Sequence, residues 1–559
     1  MSIINKKVIR YTLLAFTCLL AMACSKDKID ARVGHQPDNR NMAKSGVRLI
    51  QLSGSTDLIV NNIKLTDWHL TPAGGAPVPY PTPYFPNTGK LSGAWFLPQQ
   101  FLDASGQAYV KIGQPQNATA DFIADSFRVQ DDYNHPWDYY LGTSAKDVKG
   151  IYSVTPVPRT TVAPADPSHF RIRLVNLSSA LGEGATNKLS LAFADGARVS
   201  ATTSGIGNHA WSDYIELPYG TYQFKVLIDG SNRQIPGKTP ILTSLDSDTL
   251  YGLNSSQVYY APVRAYQPGG VYTIAVALTS GSYQNKEYQL YPNAATGVTD
   301  IEPPVNITFG RIQIVNAVSE KGIQTVIDNL PAQAADYGKA GDYVTLVKGA
   351  HHVKVTDAAG KILAEKEIQV NAGDNLSIWA YPNKSAVTDL LVVQNNMSGV
   401  RNMWSGNDGS DAANGLYDPL NFGMLVQTRF LNLCPDLPYV TFTRSNGALF
   451  TEDRFSSALA AQNLQPGKAA DALAVPYPYI DLRIVTGNII QAYSSRPGVL
   501  PGNRLVSVPV LTPADFIRMP AFFFPNGKSG AEPGVYTVAL IGRSNNDQQP
   551  AMVVIKHNQ

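Results

Sequence analysis

The chain has 559 residues, 44% of them hydrophobic and only 16% charged, which excludes an intrinsically disordered protein and is too long for a single core. Its formal net charge of +2 becomes −1 once Lys6, Lys7 and Arg10 are set aside with the apolar run they precede, so there is no general electrostatic case for nucleic acid as a partner. Tyr is frequent at 28, and Gly 45 and Pro 38 are spread along the length, a bias towards pleated, turn-rich structure rather than helix.

Residues 1–23 have a basic start and the apolar run YTLLAFTCLLAMA from Tyr11, followed by Cys24. This pattern predicts a secretory signal rather than a membrane span. Its end, LLAMAC, resembles the lipobox of bacterial lipoproteins, with Ala21 standing where that family usually has Leu. The resemblance implies that Cys24 is diacylated and becomes the first residue of the mature chain. Cys18, after AFT, is an alternative. Acyl chains would hold the protein on a membrane without a transmembrane helix. Residues 24–45 are polar and aperiodic, a flexible tether with a reach of about 25 Å. The opening CSKD resembles the start of surface lipoproteins of the Bacteroidetes type, which implies lipid anchoring in the outer membrane with outward display.

Beyond residue 45 three phrases recur in one order. The first reads RLIQL from Arg48, RLVNL from Arg173, QIVNA from Gln313 and RFLNL from Arg429, with an amide in fourth place at Gln51, Asn176, Asn316 and Asn432. The second runs YIELPYGTYQFKV from Tyr214 and YVTLVKGAHHVKV from Tyr343, glycine on glycine at Gly220 and Gly349. LAVPYPYIDLRIV from Leu473 follows that plan with Pro478 in the glycine place, and FLPQQFLDASGQAYVKI from Phe96 is a looser copy. The third is a glycine before a β-rich run: GIYSV at Gly150, GVYTI at Gly270, GDNLSI at Gly373 and GVYTV at Gly534. Four units in one order form a repeat. They predict tandem antiparallel β-sandwich domains, immunoglobulin-like, over 46–160, 168–297, 308–396 and 423–559, with a linker over 397–422 and the first and last copies divergent. In TYQFKVLI, Tyr222, Phe224 and Val226 fall on one face and Gln223 and Lys225 on the other, a half-buried strand. Short helices are expected at FSSALAAQNL from Phe455 and DNLPAQAADYG from Asp328.

The three phrases, with the LP.GTY turn, resemble the bacterial domain of unknown function 4397. That resemblance implies extracytoplasmic β-sandwich domains arranged in tandem, often in lipoproteins. It brings no catalytic residues.

The residues offer little chemistry. Adjacent His351 and His352 point to opposite faces of a strand and cannot share one metal. Neither HExxH nor GxSxG occurs, and the GKS of FPNGKSG from Phe524 lacks the earlier glycine of a phosphate loop. Asn407–Asp411 and Asp246–Asp248 carry oxygen ligands without the spacing of a calcium loop. Cys434, in an apolar run, reads as a small buried hydrophobe. No metal or other cofactor is therefore expected. Aromatic loops in the first unit are the candidate ligand-binding residues: Tyr133, Trp137, Tyr139 and Tyr140 in DDYNHPWDYY, and Tyr80 and Tyr84 in the Pro-rich stretch from Thr71. The expectation is a non-enzymatic surface lipoprotein that binds or scaffolds, with a glycan as the leading ligand class. The alternatives are an adhesive or structural protein contacting other proteins, such as an outer-membrane protein, and a hydrolase using Asp pairs.

Overall fold

The computed structural model describes residues 42–559 except 53–56, 70–77, 92, 116–121, 144–151, 179–187, 230–257, 262–263, 279–280, 285–286, 291–292, 319–321, 398–425, 451–457, 471–474, 476–477, 483–489, 517–533 and 545–548. Cys24, the signal segment and the oxygen-rich stretches 246–248 and 407–411 lie outside the described residues.

The described chain is built from strands, with short 3₁₀ turns at Gln99–Phe101, Ala458–Ala461 and Pro513–Phe516. The helix expected from Phe455 is only the second of these turns. The helix expected from Asp328 is a turn and the short strand Gln333–Ala335. The strands form four sandwiches, designated I to IV. Each has the same four neighbouring strands in its main sheet, an early strand, the first strand, the penultimate strand of the sheet and the last strand, and II adds the short strand Ala210–Trp211 beside its first strand. In II these are Ile215–Pro218, His169–Leu177, Val271–Leu278 and Asn293–Ile301. In III they are Val344–Val347, Phe309–Asn316, Asn375–Pro382 and Thr388–Gln394. In IV they are Tyr479–Asp481, Val426–Asn432, Gly534–Ile541 and Ala551–Lys556. In I they are Ala94–Pro98, Lys44–Gln51, Trp137–Thr143 and Tyr152–Pro158. In every copy the first and penultimate strands run parallel and the outer pairs antiparallel.

That common topology corrects two alignments. The GVYT strands of II and IV and the NLSI strand of III are penultimate strands, but Tyr152, in GIYSV, lies on the last strand of I. The true counterpart in I is WDYYLGT from Trp137, which pairs in parallel with Arg48–Gln51. Likewise YIDL from Tyr479 matches YIEL from Tyr214 and YVTL from Tyr343. Ile480, Ile215 and Val344 each pair with the residue before the phrase that opens with Arg429, Arg173 or Gln313. Pro478 therefore precedes the phrase and does not stand in its glycine place.

The recurring side chains now have physical reasons. The fourth-place amides close the end of the first strand: Asn176, Asn316 and Asn432 accept from the N–H two residues on, at Ser178, Val318 and Cys434. Their Nδ2 groups donate to the carbonyls of Ile206, Ala335 and Leu437. The Arg of the first phrase is buried and lies against the ring that opens the second: Arg173 over Tyr214 at 4.6 Å, Arg429 over Tyr479 at 5.4 Å and Arg48 over Phe96 at 5.7 Å. In III the arginine sits two residues earlier, with Arg311 over Tyr343 at 4.3 Å.

Tyr272 and Tyr536 are core residues, each 1% exposed. The Tyr272 hydroxyl accepts from Gln267 N at 3.0 Å and that of Tyr536 donates to Phe516 O at 3.1 Å. The rings fold back so far that a Cβ at Gly270 would lie 2.4 Å from the Tyr272 hydroxyl, which is why glycine leads the phrase. Gly270→Ala should destabilise the fold by about 1–3 kcal/mol, measured by chemical denaturation. An unchanged midpoint would show that the ring moves aside freely.

The chain divides into two compact units, 1–159 and 160–559. The first holds sandwich I. The second holds II, III and IV, which are packed together rather than strung on linkers. The interior of II is formed by Phe170, Ile172, Leu174, Phe224, Val226 and their neighbours. Sandwiches III and IV have separate cores of the same kind. A further apolar cluster joins them: Val315, Trp379 and Val393 of III meet Leu431, Ala539, Ile541 and Ile555 of IV. These residues alternate with the core-facing positions of their strands, so the main sheets of III and IV pack outer face to outer face.

The joint also carries polar groups. Arg429 donates to Gln394 O at 2.6 Å, Asn395 Oδ1 at 2.5 Å and Thr537 Oγ1 at 3.0 Å. His557 Nε2 lies 2.8 Å from Thr537 Oγ1, and its Nδ1 lies 3.3 Å from Ser377 Oγ. Sandwich II is tied in by the strand end 556–559: Gln559 N donates to Thr221 O, Gln223 N to Gln559 O, and Lys556 Nζ to Gln223 Oε1. The predicted polar face of TYQFKVLI is thus buried, with Gln223 at 2% and Lys225 at 0% exposure.

Candidate binding surfaces

In sandwich I the penultimate strand is Trp137–Thr143, and this decides the fate of the sequence candidates. Tyr139 and Tyr140 are core residues, 7% and 0% exposed. The Tyr139 hydroxyl accepts from Gln130 N at 2.9 Å and its ring stacks on Phe127, and burial raises its pKa. DDYNHPWDYY reads as a polar, aromatic contact loop, but the strand begins inside it, at Trp137. Tyr139 and Tyr140 are therefore core residues and not ligand-binding ones.

Tyr133 is 86% exposed. The turn that presents it is held by Asp132, whose Oδ1 accepts from the N–H of Asn134 and His135. The His135 backbone N–H, then its ring, keeps the Asp132 carboxyl below the usual range. The loop is fixed beneath by Asp131, which accepts from Gly46 N at 2.7 Å and donates its own N–H to Gly106 O. Trp137 is half-buried at the start of its strand.

Tyr84 is half-buried; its hydroxyl accepts from Gln100 Nε2 at 3.1 Å and its ring lies 5.4 Å from Phe101. The segment 99–106 therefore touches Tyr84 on one side and the Tyr133 loop on the other, bringing both to one end of the sandwich. Tyr80 is 51% exposed and tied by its N–H to Asp67 O. Beneath this end a buried ion pair joins two strands. Arg48 Nε and Nη2 donate to Asp138 Oδ1 and Oδ2 at 2.9 and 2.6 Å, and Arg159 Nε lies 3.2 Å from the same carboxylate.

Where II, III and IV meet there is a cavity of about 400 Å³, lined by Phe193, Tyr222, Gln313, Lys339, Asp342 and Lys556 among others. Only the assembled unit has it, so no local phrase could announce it.

Other sequence candidates resolve simply. His351 bonds Asp328 at 2.7 Å, and His352 faces Glu365 at 4.0 Å. Among the described residues no group of three or more His, Cys, Asp or Glu gathers as a metal site. Cys434 is buried, and its thiol is pushed up to about 11, chiefly by burial. The GKS of 527–529 lies outside the described residues.

Fold and surfaces together define a tandem β-sandwich protein with three of its four domains fused into one unit. No family model and no curated protein matches the chain. Among solved structures it is similar to the Bacillus anthracis TIE protein, at 11% identity over 60% of this chain and 50% of that one with a TM-score of 0.12. A putative cell adhesion protein from Bacteroides ovatus ATCC 8483 is similar at 10% identity, covering 41% and 96%, with a TM-score of 0.14. The glycogen-degrading pneumococcal virulence factor SpuA, in a product complex, is similar at 10%, covering 57% and 37%, with a TM-score of 0.13. The chain spans half of the first of these and about a third of the last; TM-scores this low assign no function to it.

Proposed function

We propose that this is a surface lipoprotein, anchored in the outer membrane through Cys24, whose β-sandwiches bind or scaffold without catalysing a reaction. The leader ending LLAMAC supports the anchor, and the resemblance to domain of unknown function 4397 supports the lipoprotein setting. The observation that carries the binding role is Tyr133, a ring 86% exposed on a fixed turn at the end of sandwich I that also holds Tyr84. An aromatic held in water by its own loop costs apolar exposure, and such rings, with polar neighbours, suit the faces of sugars or a protein partner. A glycan is the leading ligand class. Contact with another outer-membrane protein is the alternative.

Two results test this reading. The full chain should retain a glycan on an array, and Tyr133→Ala and Trp137→Ala should each weaken retention about tenfold or more. Unchanged retention would remove this end of sandwich I as the site. Labelled palmitate should enter the wild-type protein and not Cys24→Ala; equal labelling of both would remove the anchor.

A further inference from the structure

The cavity between II, III and IV has no role in the account above. Its volume of about 400 Å³ falls within the range of small-ligand sites, about 300–1,000 Å³, and domain junctions are where such sites concentrate. Its walls are set before any ligand arrives. On the II side the Phe193–Ala197 turn is closed by Phe193 N donating to Ala197 O and Gly196 N to Phe193 O, and buried Lys225 donates its ammonium to Ala194 O. On the III side, Gly338 N donates to Asn316 O, Asn316 N to Lys339 O and Gly341 N to Ile314 O. Gln313 Nε2 adds a bond to Gly341 O at 3.1 Å. The floor is made of Tyr222, Lys556 and Asn558, all buried.

The lining chemistry selects the ligand. Among the side chains, Lys339 and Lys556 are balanced by Asp195 and Asp342, so the lining side chains favour neither a cation nor an anion. Lys339, Asp195 and Asp342 are exposed at the rim and together offer donors and acceptors to a molecule whose groups do both, as hydroxyls do. Among the described residues the side chains of Lys339 and Asp342 form no ion pair. Phe193 and Tyr222, with ring centroids 6.3 Å apart, and Pro218 supply the apolar face a sugar ring needs beside its hydroxyls. We propose that this junction is a binding site for a neutral mono- or disaccharide. It is distinct from the Tyr133 surface and stands whether or not that surface binds glycan.

Calorimetric titration of the full chain with glucose, maltose, cellobiose and N-acetylglucosamine tests the site. At least one of them should bind saturably. Asp342→Ala and Lys339→Ala, at exposed positions with the melting temperature unchanged, should each weaken that binding about tenfold. Tyr133→Ala should leave it unaltered, which separates this site from the end of sandwich I. The proposal is overturned if none of the four sugars binds below about 100 mM, if the rim variants bind as the wild type does, or if glycine and dialanine bind while the sugars do not, the last marking a peptide site.

Discussion

Trp379→Ala should destabilise the unit formed by II, III and IV by about 3–5 kcal/mol, the range for removing a fully buried Trp. Trp379 is 0% exposed, yet it does not belong to the core of its own sandwich. It lies in the cluster between III and IV with Val315, Val393, Leu431 and Ile541. The substitution opens a void in a sheet-to-sheet contact that is also pinned by Arg429, whose guanidinium is fixed on Gln394 O, Asn395 and Thr537. Loss should therefore fall on the joint, with III and IV keeping their separate cores. Calorimetry reads both effects: a lower transition temperature and division of the III–IV transition into two. A shift below about 1 kcal/mol would mean that the joint contributes little.

Asp138→Ala should cost sandwich I a similar amount, about 3–5 kcal/mol, because it strands buried cations rather than merely deleting a bond. Asp138 is 0% exposed and receives two bonds from Arg48, itself 3% exposed, while Arg159 approaches the same carboxylate. The carboxylate also fixes the register between Arg48 and Asp138 on the parallel pair. Urea unfolding of the full chain, followed by the protection of Lys44–Gln51 amides, isolates the effect in sandwich I. If Asp138→Ala unfolded at the wild-type midpoint, water would have to reach both guanidinium groups in the folded state.

The repeat was legible because its phrases sit at strand positions where side chains have fixed duties. The fourth-place amide closes a strand end, the arginine meets a ring, and the glycine makes room for a tyrosine. The copy in I misled because GIYSV imitates GVYTV in composition while its Tyr152 lies on the last strand; only the pairing of Arg48 with Asp138 reveals WDYYLGT as the counterpart. The joint between III and IV was hidden for a different reason. Outward-facing Val315, Trp379 and Leu431 look like core residues in a list of hydrophobics. A signal existed: NLSIWAYP and GVYTVALI are buried at every position, and strands apolar on both faces are covered on both faces. Read that way, the penultimate strands announce a partner sheet, though not which one. The cavity has no such signature, since Phe193, Lys339 and Lys556 come from three sandwiches and are unremarkable in their own phrases. Tyr133 and Tyr139 show the remaining limit: six residues apart, one stands in water and one in the core, and only the start of the strand at Trp137 separates them.

Hydrogen exchange on the full chain tests the packed joint most directly. The amides of Asn375–Tyr381 in III and Gly534–Ile541 in IV should exchange through one shared opening, with equal protection, and Trp379→Ala should lower both together before they separate. Protection that differs between the two strands in the wild type, and stays unchanged in Trp379→Ala, would contradict the joint and return III and IV to independent domains on a string.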